Sequence, residues 1–165
     1  MSVHTFQNDK KINLPSLARN LAFPLFCGLF AGFLSRSHFC AYETLQKPPF
    51  AAPAAVFPII WTLLYLIMGI SSYLLFQADR PYIADAFGIY LMQMFFNFIW
   101  PLVFFNLGNH LLAFILLAAL WFAILQMINE FYAVSRAAAL LQLPYLLFVT
   151  YAGYLNLGVV LLNKR

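Results

Sequence analysis

Neutral polar and aromatic side chains recur at helical spacing in three apolar stretches of this chain. Gln93, Asn97 and Trp100 follow one another at intervals of four and three residues, so a helix would place them on one face. Amide groups donate and accept hydrogen bonds, and an indole ring stacks on other flat rings. A face of this kind suits a flat, mostly apolar ligand that is held by stacking and a few hydrogen bonds.

Two further stretches carry similar faces. One pairs Trp61 with Tyr65, and the other carries a longer set with an amide beside it. That longer set is Tyr145, Phe148, Ala152 and Leu155, with Asn156 as the neighbouring amide. Taken singly, each residue favours a structural role, because amides and aromatic rings often join membrane helices to one another. The three faces together, with the small Ala152 leaving room, favour a pocket.

The sequence lacks the residues that ion-coupled transport, hydrolysis or metal binding would need. The middles of the second to fifth apolar stretches contain no Asp, Glu, Lys, Arg or His, which argues against an ion-coupled carrier. No serine has a histidine and a carboxylate nearby in the sequence, as a hydrolytic site would. His38, Cys40 and His110 match no metal-site spacing, so we expect no metal. We interpret Cys27 and Cys40 as small hydrophobic residues.

The composition points to lipid as the surrounding solvent. Hydrophobic residues make up 64% of the 165 residues and charged residues only 8%, which is far from the usage of soluble domains. The formal net charge is +4, but the charges stand at the ends of apolar stretches, where they anchor helices at the membrane surface. Since there is no basic cluster, we expect no nucleic-acid partner.

Five windows are long and apolar enough to cross a bilayer. They are predicted at residues 17–35, 54–76, 83–105, 110–132 and 137–162. We expect a polar N-terminal tail at 1–16 and a single five-helix domain at 17–165, in an integral, multi-pass membrane protein. Five cations on one side face four on the other, which gives no orientation and does not identify the membrane. Asp79-Arg80-Pro81 separates two windows, and Pro144 should kink the last one.

Only the first connection, residues 36–53, is long enough to fold over a pocket. It contains the cation Lys47 and a group of prolines that includes Pro48, Pro49 and Pro53. Proline fixes one backbone angle and removes an amide donor, so this loop should be stiff. A stiff loop at the mouth of a membrane helix suits a lid.

These features together resemble the TspO/MBR family, the translocator and tryptophan-rich sensory proteins. The motifs have the family's order and spacing. They are Tyr42, Leu45-Gln46-Lys47-Pro48, Pro53, Trp61 and Leu64-Tyr65 in the first loop and second span; Gln93, Asn97, Trp100-Pro101 and Phe104-Phe105 in the third span; and Pro144-Tyr145-Leu146, Ala152 and Leu155-Asn156 in the fifth.

The resemblance implies an all-α integral membrane protein, a bundle of five transmembrane helices whose long first loop caps a pocket. Members bind porphyrins such as protoporphyrin IX and haem, some bind sterols or drug-like ligands, and many form homodimers. By motif, the pocket residues would be Trp100, Asn97, Phe148, Ala152 and Leu155, with Phe50 and Pro53 in or near the lid. We therefore expect a membrane receptor for porphyrins that acts in sensing, sequestration or transport and requires no cofactor.

The chain departs from the family pattern at several positions. Phe50 and Phe148 replace tryptophans associated with light-driven porphyrin breakdown. Phenylalanine still stacks on a tetrapyrrole but is harder to oxidise, so we expect binding rather than a photo-oxidative enzyme. The family's sterol motif needs a tyrosine shortly after its Leu-Asn pair, where this chain continues with Leu157. Leu91 and Met92 replace small residues at the dimer contact of some bacterial members. Besides a porphyrin-binding protein and a photo-oxidative enzyme, the third hypothesis is a membrane scaffold with a vestigial pocket.

Overall fold

The computed structural model describes residues 12–78 and 83–163. Residues 1–11 of the predicted tail, the predicted break at Asp79-Arg80-Pro81, and Lys164 and Arg165 lie outside the described residues, as do the side chains of Cys40 and Ala41. The described part of the chain is mostly helical and contains no strand. The fold class predicted from the sequence, an all-α membrane protein, is confirmed.

The helices follow one another with short connections. They are α1 (Leu14–Ser35), a 3-10 turn (Arg36–His38), α2 (Phe39–Thr44), α3 (Val56–Phe76), α4 (Ile83–Pro101), a π-helical turn (Leu102–Asn106), α5 (His110–Val134), α6 (Arg136–Leu140) and α7 (Leu143–Leu162). Five stretches are long and apolar enough to cross a membrane: α1 with the 3-10 turn, α3, α4 with the π-helical turn, α5, and α6 with α7. The five predicted spans are therefore confirmed.

Side-chain caps explain where three of the helices begin. Asn13 Oδ1 accepts a hydrogen bond from the Ser16 amide at 3.0 Å, and Asn109 Oδ1 accepts one from the Leu112 amide at 3.0 Å. Ser135 Oγ accepts one from the amide of Ala138 at the start of α6. These caps satisfy backbone donors that have no partner inside the helix. Because Asn13 caps it, α1 begins three residues before the predicted start.

The fifth span is divided near the proline that was predicted to kink it. Pro144 lies in the first turn of α7, after a two-residue turn at Leu141 and Gln142. A proline lacks an amide hydrogen, and its ring clashes with the carbonyl four residues earlier, here that of Leu140. The helix therefore cannot continue from α6 through Pro144, and the predicted kink takes the form of a break.

The spans close into a ring around an interior cavity. α1 packs against α3 and α4, α5 packs against α4 and α7, and α3 packs against α6. Gly69 allows α3 to approach α1 closely, since a Cβ atom there would lie 2.8 Å from Leu21 Cα. The first connection contains α2 and then residues 45–55, which are named the lid. The lid lies at the end of the bundle where α1 and α7 end and α3 begins.

Candidate ligand-binding cavity

A cavity of about 700 Å³ lies inside the bundle beneath the lid. Its walls come from α1, α2, α3, α4, the π-helical turn and α7, and residues 54 and 55 of the lid border it. Its aromatic lining residues are Phe33, Phe39, Tyr42, Phe57, Trp61, Tyr65, Trp100, Phe104 and Phe105. None of its described lining residues carries a charge. The cavity is therefore suited to a neutral, largely apolar body.

A chain of buried hydrogen bonds fixes the polar wall of the cavity. The Tyr65 hydroxyl donates to Asn97 Oδ1 at 2.6 Å, and Asn97 Nδ2 donates to the Tyr145 hydroxyl at 2.8 Å. The Tyr145 hydroxyl in turn donates to Gln93 Oε1 at 2.9 Å. All four side chains are buried. Because one chain joins α3, α4 and α7, Asn97 both holds helices together and presents its amide at the cavity wall.

A second pair of bonds orients the tryptophan of α4. Trp100 Nε1 donates to Asn156 Oδ1 at 3.2 Å, and Asn156 Nδ2 donates to the His110 carbonyl at 2.8 Å. The indole is therefore held from its polar edge, which leaves its apolar surface for the cavity. Asn156 ties α4, α5 and α7 together at this point. A fixed ring loses little freedom when a ligand stacks on it.

Trp61 stands at the centre of the aromatic wall. Its ring centroid lies 5.7 Å from that of Tyr65 and 6.4 Å from that of Trp100. Phe148 meets Trp61 edge to face at 5.4 Å. These spacings are within the range of favourable aromatic pairs. The result is a continuous wall of rings along one side of the cavity.

Small residues of α1 and α7 provide the space. Gly32 lines the cavity, and a Cβ atom added to it would meet no atom within 4 Å. Gly28 has a different role, because a Cβ atom there would collide with the ring of Tyr65. Ala31 and Ala152 also line the cavity with short side chains. The room inside the bundle thus depends on small residues at these positions.

Two tyrosines of α7 hold the tip of the lid. The Tyr151 hydroxyl donates to the Phe50 carbonyl at 2.8 Å and accepts from the Ala52 amide at 3.0 Å. The Tyr154 hydroxyl donates to the Pro49 carbonyl at 2.9 Å. These bonds reach across about a hundred residues of sequence and attach the backbone of the lid to a cavity-forming helix.

The base of the lid is attached to the end of α7. The Gln46 amide donates to Asn163 Oδ1 at 3.0 Å, and Asn163 Nδ2 donates to the Gln46 carbonyl at 2.9 Å. Pro48 packs on Gly158, where a Cβ atom would collide with the proline ring. Lys47 pairs with Glu43 at 3.0 Å and lies 4.6 Å from the ring centroid of Tyr42. The lid is thus fastened along its length to the end of α7.

The structure gathers some of the predicted site residues around the cavity and places others behind its wall or in the lid. Those that line it are Tyr65, Asn97, Trp100, Ala152, Leu155 and Asn156. Gln93 and Phe148 lie behind the wall, where Gln93 bonds to Tyr145 and Phe148 packs on Trp61. Their contact with a ligand, like that of the lining residues, stays a prediction.

The predicted lid residues do not line the cavity. Lys47, Pro48, Pro49 and Pro53 belong to the lid but are absent from the lining. Phe50 has a φ of +63° and its side chain is 90% exposed, because the lid turns there and its carbonyl is bonded to α7. In this conformation Phe50 does not stack on a molecule inside the cavity.

Sequence reasoning missed the contribution of α1. Leu25, Gly28, Gly32 and Phe33 all line the cavity. The sequence did contain a signal for them, two glycines four residues apart. Gly28 and Gly32 lie on the same face of α1, and because glycine has no side chain, that face leaves space beside the helix. Leu91 and Met92, which the resemblance related to a dimer contact of some bacterial members, are 41% and 39% exposed on α4.

The fold and the site together define a compact polytopic membrane protein, five helices around an uncharged, aromatic-walled cavity, with a loop fastened to α7 at one end. The chain belongs to the TspO/MBR family, which it matches over residues 20–162. It is 36% identical over 146 residues to a translocator protein homolog of Schizosaccharomyces pombe, covering 85% of this chain and 87% of the relative. It is 35% identical over 136 residues to the tryptophan-rich protein TspO of Archaeoglobus fulgidus, covering 81% and 88%. It is 32% identical over 122 residues to the tryptophan-rich sensory protein of Cereibacter sphaeroides, covering 74% and 76%.

Proposed function

We propose that this membrane protein binds a porphyrin, such as protoporphyrin IX or haem, or a similarly flat apolar molecule inside the bundle, and that it senses, sequesters or transports that ligand. The observation that carries the proposal is the cavity of about 700 Å³ with aromatic walls. Its volume falls within the range of pockets that enclose small organic ligands. A membrane scaffold would need no such space.

The chemistry of the lining supports a flat ligand. Trp61 and Trp100 offer two indole rings whose planes differ by 33°, and Trp100 is already fixed by its bond to Asn156. Stacking on an aromatic ring contributes roughly 0.5–1.5 kcal/mol beyond the burial of apolar area. The amide of Asn97 adds a polar group that would orient the ligand.

The fastened lid supports retention of the ligand. A guest inside the cavity is covered by residues 45–55 and must pass them or the helices to leave. Sensing is supported by the name of the Cereibacter sphaeroides relative, a sensory protein. Sequestration and transport share the same first step, binding in the cavity.

A titration with protoporphyrin IX in a nonionic detergent tests the proposal. Tryptophan emission should be quenched in a saturable manner, because Trp61 and Trp100 line the cavity. Trp121 serves as the matched control, since it lies outside this cavity and bonds to Thr150 at 2.8 Å. We expect Trp100→Leu to weaken binding by up to about tenfold and Trp121→Leu to leave it unchanged.

The two tryptophan variants also define the contrary result. Quenching that does not saturate, or equal affinity of Trp100→Leu and the unmodified protein, would remove the cavity as the binding site.

Illumination of the complex separates binding from catalysis. We expect no bilin-like absorbance to form faster than from free porphyrin, because phenylalanines occupy positions 50 and 148.

A further inference from the structure

One cation stands at the edge of the cavity. Arg36 follows α1 directly, and its guanidinium carbon lies 4.2 Å from the ring centroid of Phe33. Phe33 is itself a lining residue of the cavity. The positive charge therefore lies within one side-chain contact of the cavity lining, at the lid end of the bundle; this edge of the cavity is named its mouth.

Arg36 has no ion-pair partner among residues 12–78 and 83–163. The ion pair found there joins Lys47 to Glu43, and Glu43 is the carboxylate-bearing residue described on this side of the bundle. Two full cations, Arg36 and Lys47, thus face one carboxylate at the lid end. Because Lys47 already pairs with that carboxylate, the charge of Arg36 has no described carboxylate beside it.

The opposite end of the bundle shows no such excess. Its described charges are Arg19 and Arg136 against Asp85 and Glu130, two of each sign. Among the described residues, an excess of cations over carboxylates is therefore found at the lid end.

The cavity itself cannot hold a charge. Its described lining residues are apolar, aromatic or neutral and polar, and burying a carboxylate among such groups without a partner is very unfavourable. A ligand with a flat apolar body and an acidic group must therefore leave that group at the mouth. Arginine offers a planar fork of donors that matches a carboxylate.

We propose that Arg36 forms an anion subsite at the mouth of the cavity, and that it binds the carboxylate of an amphipathic ligand whose flat body lies against Trp100 and Asn97. This inference rests on the proposed function. It gives the ligand one orientation, with its acidic edge toward the lid, and it names the preferred class as organic acids with a planar apolar body over neutral molecules such as sterols.

Protoporphyrin IX and its dimethyl ester test the subsite, because they share one ring system and differ only in the carboxylates. Both are titrated into the protein in a nonionic detergent, so that no anionic lipid competes. The unmodified protein should bind the acid about tenfold more tightly than the ester, the effect of one charge-assisted hydrogen-bonded pair. Arg36→Gln should abolish this preference by weakening the acid alone.

Arg19→Gln is the matched control, since Arg19 lies on the same helix at the end remote from the lid. It should leave the acid-to-ester ratio unchanged, and both variants should keep the thermal midpoint of the unmodified protein. Arg36→Lys should retain part of the preference, because lysine keeps the charge without the planar fork.

Three results would overturn the subsite. Equal affinity for acid and ester in the unmodified protein refutes it while leaving the proposed function intact. A loss in Arg36→Gln that affects acid and ester alike assigns the arginine to structure and not to recognition. Failure of both porphyrins to bind refutes the proposed function, and the subsite with it.

Discussion

Removing one hydroxyl of α7 should loosen the lid without changing the cavity. Tyr151→Phe deletes the group that donates to the Phe50 carbonyl and accepts from the Ala52 amide, yet it keeps the ring, which packs 6.0 Å from Phe148. Each hydrogen bond contributes roughly 0.5–1.5 kcal/mol net. Water can replace part of both bonds because Tyr151 is half-buried, so the lower end applies to the pair.

The expected loss is therefore about 1 kcal/mol, which raises the ratio of open to closed lid about fivefold. Tyr154→Phe removes a single bond, to the Pro49 carbonyl, and should raise the ratio about twofold. The double variant should raise the ratio more than either single variant, since each tyrosine holds a different carbonyl. This gradation links the size of the effect to the number of bonds lost.

Two assays measure the lid independently of each other. Hydrogen exchange of the peptide that contains Ala52 should accelerate in the order given by the number of bonds lost, without any ligand present. Release of bound protoporphyrin IX, followed by stopped-flow fluorescence, should accelerate in the same order.

Tyr132→Phe supplies the control, because Tyr132 is 51% exposed at the opposite end of α5. Its exchange and release rates should match those of the unmodified protein. Unchanged exchange in Tyr151→Phe would show that the bonds to the lid contribute nothing. Faster exchange with unchanged release would show that the ligand leaves by another path.

Three further substitutions test the packing and the cavity. Gly69→Ala places a Cβ atom 2.8 Å from Leu21 Cα and should destabilise the bundle by about 1–3 kcal/mol. Thermal unfolding in detergent should show a lower midpoint for this variant than for Gly88→Ala, whose Cβ atom meets nothing within 4 Å. Equal midpoints would contradict the close contact between α3 and α1. Asn97→Leu leaves the buried Tyr65 hydroxyl without its acceptor and removes one of the bonds of the Tyr145 hydroxyl, which still donates to Gln93. It should cost about 1–3 kcal/mol, a cost that an unchanged midpoint would disprove. Gly32→Phe should fill the cavity and abolish porphyrin quenching while the midpoint is kept, whereas retained affinity would place the ligand elsewhere.

The spans could be predicted because their causes are local. A bilayer requires about twenty apolar residues in a row, and proline or asparagine near the ends fixes where a helix begins. The periodicity of Gln93, Asn97 and Trp100 also gave the correct inward direction, because a helix repeats every 3.6 residues. The periodicity does not show, however, how far along the helix the cavity extends. Asn97 borders the cavity, whereas Gln93, one turn earlier on α4, does not.

The first connection was predicted as a lid, but its attachments to α7 and the cavity wall formed by α1 were not, because their causes lie far apart in the sequence. The bond between Tyr151 and the Phe50 carbonyl joins residues 101 positions apart, and neither residue carries a local sign of the other. Phe50 was expected near the ligand on family grounds, but its outward position depends on a backbone angle that its residue type disfavours. The cavity wall at Gly32 exists only because α1 packs beside α3.

The π-helical turn after Pro101 makes the structure sensitive to the number of residues in this segment. The Leu107 amide bonds to the Leu102 carbonyl at 3.1 Å, five residues back, so this turn holds one residue more than an α-helical turn. Deleting a single residue from 102–106 would rewind the turn and rotate the following segment by about 100°. The His110 carbonyl would then leave Asn156, and the indole of Trp100 would lose its anchor. Connecting segments usually tolerate insertions and deletions, but here the loss of one residue would affect a hydrogen bond in the centre of the bundle.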